Sequence, residues 1–198
     1  MVDRNWGEEF KRLLALIHEE FPDVAIRPKT GFFMTCLHWV VVIVTLGQIR
    51  DFRTDYTTTI GHTIWVPSDW ANWAPVDNYA VLLHEWQHLK QQRGWWLPCW
   101  LLAYLLLWLP CWRSLFRWRW ERQAFGVQLE FYYYAHGLCG PNGLVATKLW
   151  AIAMLSGSCY LWAWDSTQVQ SYFDDISVQA QQIDRDQDPL TLAQKLGA

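Results

Sequence analysis

The chain has 198 residues, 52% of them hydrophobic and 18% charged, with a formal net charge of −3. That is enough chain for one domain with a core of its own, and the composition excludes a disordered or fibrous protein. Sixteen Lys and Arg against nineteen Asp and Glu give no reason to expect nucleic acid as the partner. Tryptophan is far above ordinary use: sixteen in all, eleven of them between Trp65 and Trp120.

Five cysteines (Cys36, Cys99, Cys111, Cys139 and Cys159) form no C-x-x-C pair. The start, MVDRNWGEEF, lacks a basic stretch followed by an apolar one, so no secretory signal is seen and reduced thiols are expected. The expected location is cytoplasmic or peripheral to a membrane.

In chain order, residues 5–20 read as an amphipathic helix, with Trp6, Phe10, Leu13 and Ile17 on one stripe and Pro22 beyond its end. Residues 37–46, LHWVVVIVTL, are rich in β-branched side chains and read as a buried strand. Residues 56–67 carry a second β pattern, in which Ile60, Ile64 and Val66 share a face and Gly61 marks a bend. Residues 76–92 form the clearest helix, from Pro75 or Asp77 to just before Gly94. Helix is expected again to about Tyr134, then over 144–155 and 168–182, with 184–198 as a solvated, flexible tail after a single domain spanning 1–183. A small sheet ahead of helices makes the fold class α+β.

The chemistry lies in His84-Glu85-Trp86-Gln87-His88. Residues four apart share a helix face, so both imidazoles can reach one metal ion, and Glu85 beside them can take the proton of a water at that ion. A catalytic zinc site ordinarily has three protein ligands, and no third histidine follows at short spacing, because LKQQRG comes after His88. Glu121 is the leading third ligand, on a second helix where Ala124 permits close approach. Glu130 competes but has only large neighbours, and His62, His38, His136 and His18 remain open.

This pattern, two histidines and a glutamate on one helix and a further Glu on a later one, resembles the gluzincin metallopeptidases, in particular the small minigluzincins. The likeness covers residues 36–135. It implies a small zincin-like domain whose short mixed sheet precedes the active-site helix and the glutamate-bearing helix, with Zn2+ on His84, His88 and Glu121 and Glu85 as general base and acid. It also implies that Thr63, Ile64, Trp65 and Val66 form an edge strand pairing with extended peptide substrate. Tyr132, Tyr133, Tyr134, His136 and Tyr160 are the candidates for stabilising an oxyanion. The chain departs from the family frame at Lys90, where an apolar residue is usual, and at Phe125, where some relatives place an Asp that orients a metal-bound histidine. The function implied is zinc-dependent peptide hydrolysis, against an alternative of a catalytically idle interaction protein or a peripheral membrane binder.

Residues 94–112, GWWLPCWLLAYLLLWLPCW, contain no charge and have nearly the length of a membrane span. One crossing there would put His88 and Glu121 on opposite sides of a bilayer, so if both bind one ion the segment does not span. It is then a packed helix-loop, a partner-binding surface or a hairpin dipping into one leaflet.

Overall fold

The computed structural model describes residues 4–44, 47, 49–95, 97–100, 115–138, 143–157 and 164–197. Among them, the helix α1 (Trp6–Glu20) leads into β1 (Ala25–Pro28), α2 (Gly31–Val44), β2 (Thr58–Ile60) and β3 (Thr63–Val66). Then follow α3 (Pro75–Gln92), α4 (Leu115–His136), α5 (Leu144–Ser156), α6 (Ser166–Ala180) and α7 (Pro189–Gly197). The fold is α+β, a small mixed sheet beside a helical body.

Local signals place most of these boundaries. The Asn5 side chain accepts from the Glu8 N–H at the start of α1, and Leu13 and Ile17 are fully buried on its inner face. Pro75 occupies the first turn of α3, where a missing N–H costs nothing, and Gly94 takes φ +87° just past its end. The hairpin between β2 and β3 turns on Gly61, at φ +58°.

Three expectations from the sequence are corrected. Residues 37–44 belong to helix α2, not to a buried strand. A lone strand there would need a neighbour for every N–H and C=O, whereas a helix satisfies them internally, and this tertiary fact outweighs the β-branched composition. Second, β3 is the middle strand: the order is β1-β3-β2, with β1 parallel and β2 antiparallel to it. Residues Thr63–Trp65 therefore have a strand on both sides, Val66 has one, and the strand is not an edge. The four-residue β1, unmarked in the sequence because it is short and ends in proline, takes the second edge. Third, the supposed solvated tail carries α7, whose Leu192 and Ala193 are buried against α1 and α3. Tyr79 donates its hydroxyl to the Pro189 carbonyl and Arg12 pairs with Asp188, so the aspartates of this segment are the polar rim of a docked helix.

The main core lies between α1, the sheet, α3, the end of α4 and α7, with Tyr79 stacked on Phe131 at its centre. A second cluster joins α4, α5 and α6 through Phe125, Leu129, Leu155 and Phe173. A third sits under α2, where Met34, Ile49 and Phe52 are buried. Truncating Leu192 to Ala should cost about 2–5 kcal/mol of folding stability, as for a buried leucine. Equilibrium denaturation measures it, and a loss within error of zero would show that α7 does not belong to the core.

Candidate metal centre

Helices α3 and α4 run antiparallel along one seam, and cross-contacts fix the register. Gln91 reaches Trp120, His88 and His84 reach Glu121, the His84 ring meets Phe125 edge-on at 4.8 Å, and Asp77 reaches Tyr132. Ala124, fully buried, sits where the two helices come together.

His84, His88 and Glu121 converge there as one group able to hold a metal ion. The two Nε2 atoms are 3.1 Å apart, and Glu121 carboxylate oxygens lie 3.7 Å from His84 Nε2 and 3.8 Å from His88 Nε2. Two ligands each about 2.1 Å from a tetrahedral ion must stand about 3.4 Å apart, so the separations fit. Protonation does not account for the arrangement at His84, because burial and the neighbouring His88 push its pKa down to about 3 and the ring is neutral at pH 7.

The tautomer of His88 follows from its neighbours. Gln91 donates its amide N–H to the Trp120 carbonyl at 3.0 Å, so its oxygen faces His88 Nδ1 at 2.9 Å. Nδ1 must then carry the proton and Nε2 presents its lone pair to the centre. Gln91 is thus the orienting partner of His88, while Phe125 packs against His84 where a carboxylate was absent from the sequence pattern.

Glu85, 3% exposed, lies between this group and the sheet. Thr59 on β2 donates its hydroxyl to Glu85 Oε2 at 2.6 Å. Burial pushes the Glu85 pKa up, while His88, Thr59 and the more distant Lys29 pull it down. One helical repeat further on, Gln92 accepts from the Gly61 N–H and donates to the Thr59 carbonyl, so the hairpin is tied to α3 at both places. Lys29 donates to the Phe52 carbonyl and to Thr58 Oγ1 and is 2% exposed.

The other sequence candidates lie elsewhere. Glu130 is half a helical turn out of phase with Glu121, and desolvation raises its pKa to about 7. His62 is exposed on the β2–β3 turn beside a separate cavity of about 270 Å3, His18 is exposed on α1, His38 lies on α2, and His136 stacks on Tyr132. Among the described residues none of them joins the group.

A cleft of about 480 Å3 opens over His84 and Glu85, walled by Tyr56, Phe125, Tyr132 and Trp150. Of the candidate oxyanion donors, Tyr132 lines this cleft and donates to Asp77 Oδ1 at 2.9 Å. Asp77 precedes His84 by seven residues, about 10 Å along the helix, so that hydroxyl marks the far end of the cleft. Tyr134 donates to the Gln187 carbonyl, Tyr133 packs in the second cluster, and Tyr160 lies outside the described residues.

The same convergence bears on the apolar segment. His88 and Glu121 meet at one point, so a single bilayer crossing between them is excluded. At the described ends of the segment, the Trp95 and Trp100 rings both contact Trp120, the latter stacked at 5.3 Å. Residues 101–114, on which the packed, partner-binding and one-leaflet readings turn, lie outside the described residues. Among the described residues no helix is long and apolar enough to cross a membrane. Comparisons with protein-family models, with curated proteins and with solved structures each found no match.

The double variant His84→Ala/His88→Ala should lose stoichiometric metal, read by elemental analysis after dialysis; full retention would refute the centre. Gln91→Leu should keep the ligands but weaken affinity by about 10–100-fold, the usual effect of removing an orienting partner.

Lys29 gives a pH test with a definite sign. Burial lowers its pKa from 10.5 to about 7. Below about pH 7 it is protonated both folded and unfolded, and the folded state carries a buried charge. Between about 7 and 10.5 only the unfolded chain keeps the proton, so this group makes stability rise with pH. Relative to Lys29→Met, the wild type should gain stability between pH 7 and 9 in denaturant titrations. Parallel curves for the two proteins would contradict it.

Proposed function

We propose that the chain is a zinc-dependent metallopeptidase of gluzincin type, similar in plan to the minigluzincins. The observation that carries the reading is the buried meeting of His84, His88 and Glu121, with Glu85 alongside and an open cleft reaching His84 and Glu85. Two imidazoles and one carboxylate are the donor set of a catalytic zinc site, which keeps a position open for water.

His84, His88 and Glu121 would hold the ion. Zn2+ bound there would polarise a peptide carbonyl and lower the pKa of water. The remaining work falls to side chains of the chain. Thr59 holds Glu85 Oε2, which fixes the carboxylate and leaves Oε1 to accept the proton of the attacking water. Burial raises the proton affinity of Glu85, so that it can take this proton and return it to the leaving amine. Gln91 keeps His88 in the tautomer that binds, and Phe125 and Trp150 restrict bulk water at the cleft wall. Since β3 is internal and β2 is tied to α3 by Gln92, substrate would enter by the cleft between α3, α4 and α5, not by adding a strand at residues 63–66.

Glu85→Gln removes the base while keeping the shape. It should retain zinc and fold, with hydrolysis of a broad peptide library reduced by about 10²–10⁴-fold. Equal turnover by the two proteins would rule out this role for Glu85. Absence of turnover from a zinc-loaded wild type would favour the idle interaction protein instead.

A further inference from the structure

The two histidines of the centre are held differently. Nδ1 of His88 meets Gln91, whereas Nδ1 of His84 is buried and closes no hydrogen bond. A ring that gives its Nε2 lone pair to an ion carries its proton on Nδ1, and a buried N–H without an acceptor is costly. Phe125, edge-on to this ring, supplies none.

The register of the seam shows which side chain can. Phe125 meets His84 and Tyr132 meets Asp77, so the α4 residues between 125 and 132 pass the stretch of α3 from 84 back to 77. Gln128 lies in that interval, seven residues after Glu121 and so two turns along the same face. It is 5% exposed and lines the cleft together with His84, Asp77 and Tyr132. Its amide interacts with the His84 ring, short of a closed hydrogen bond, and with the Tyr132 hydroxyl. A polar side chain so deeply buried needs partners, and these two groups lie against it.

The protons decide which way the amide faces. Tyr132 donates its only hydroxyl proton to Asp77 Oδ1, so toward Gln128 its oxygen can only accept. The Gln128 NH2 then belongs on Tyr132, and Oε1 belongs on the side of His84, where an acceptor is missing.

We infer that Gln128 is the positioning residue of His84: its Oε1 accepts the Nδ1–H of that ring when an ion is bound at Nε2, and Tyr132, held by Asp77, keeps the amide in this orientation. Each ligand histidine of α3 is then oriented by a glutamine, Gln91 from its own helix and Gln128 from α4. Gln128 takes the part of the carboxylate that the chain lacks at Phe125, about one turn earlier on α4. The inference rests on the metal-binding part of the proposed function and not on peptide hydrolysis.

Zinc affinity of the full chain, measured by competition with a chromophoric chelator, tests it. Gln128→Leu fills similar space without an acceptor and should weaken binding by about 10–100-fold. Gln128→Glu keeps an acceptor and should restore most of that affinity. A residue that only filled space at so buried a position would tolerate Leu and reject Glu, the reverse order. The visible bands of the cobalt-loaded protein should shift in Gln128→Leu and return in Gln128→Glu. Tyr132→Phe frees the amide to turn and should weaken binding by a smaller factor, with little further loss when added to Gln128→Leu, because both act through one network. If Gln128→Leu loses its helical signal, Tyr132→Phe alone must still weaken binding. Equal zinc affinity of wild type and Gln128→Leu, failure of Glu to restore it, or fully additive losses would overturn the role of Gln128 and leave the metal centre standing. A wild type that binds no zinc would refute the centre itself and this inference with it.

Discussion

The antiparallel seam between α3 and α4 is the constraint on which the rest of the structure depends. Glu121 is 1% exposed, and a carboxylate so deeply buried is costly unless something compensates its charge. His84 and His88 turn their Nε2 atoms toward it, and the three side chains together form a group that could hold a cation. Moving α4 by one turn would carry Glu121 about 5 Å along the seam and dissolve the group. Several contacts resist that slip: Gln91 on Trp120, Tyr132 on Asp77 and the Tyr79–Phe131 stack all hold the same register.

The sheet serves this seam more than it serves the core. It has three short strands, and a sheet of that size has little stability of its own. Its hairpin is bound to α3 by Thr59 at Glu85 and by Gln92 at Thr59 and Gly61. Glu85 is therefore fixed from the sheet, and the partner of His88, Gln91, is fixed from α4, so two side chains of one helix are oriented by different elements. The buried Lys29 amine supports the same strand through Thr58 and adds positive potential near Glu85.

How much of this was legible in the sequence follows from the range of each interaction. The site helix could be read because His84, Glu85 and His88 lie within about one turn, Pro75 and Gly94 mark its ends, and Ala124 singles out Glu121 over Glu130 by permitting close helices. Gln91, three residues after His88, carried a visible signal, since it lies on the ligand face. Thr59 carried none, because its meeting with Glu85 depends on how a hairpin docks. The errors share a cause. The strand reading of residues 37–44 rests on local composition and the edge reading of 63–66 on a family resemblance, but whether a β-branched run becomes a strand, or a strand becomes an edge, is decided by which neighbours exist. Leu192 and Ala193 were masked by Asp184, Asp186, Asp188 and Pro189 just before them, although the α7 segment PLTLAQKL itself has an amphipathic spacing.

The misread α2 lies next to the cleft over His84 and Glu85. Its strand-like composition and its exposure have one physical origin: an apolar run too rich in Val and Ile for a solvated helix, yet without strand partners. Tyr56 packs beneath α2 and also walls the cleft above His84 and Glu85, so the layer that carries α2 is continuous with the wall of the metal site. The short, weakly paired sheet gives that wall little independent rigidity.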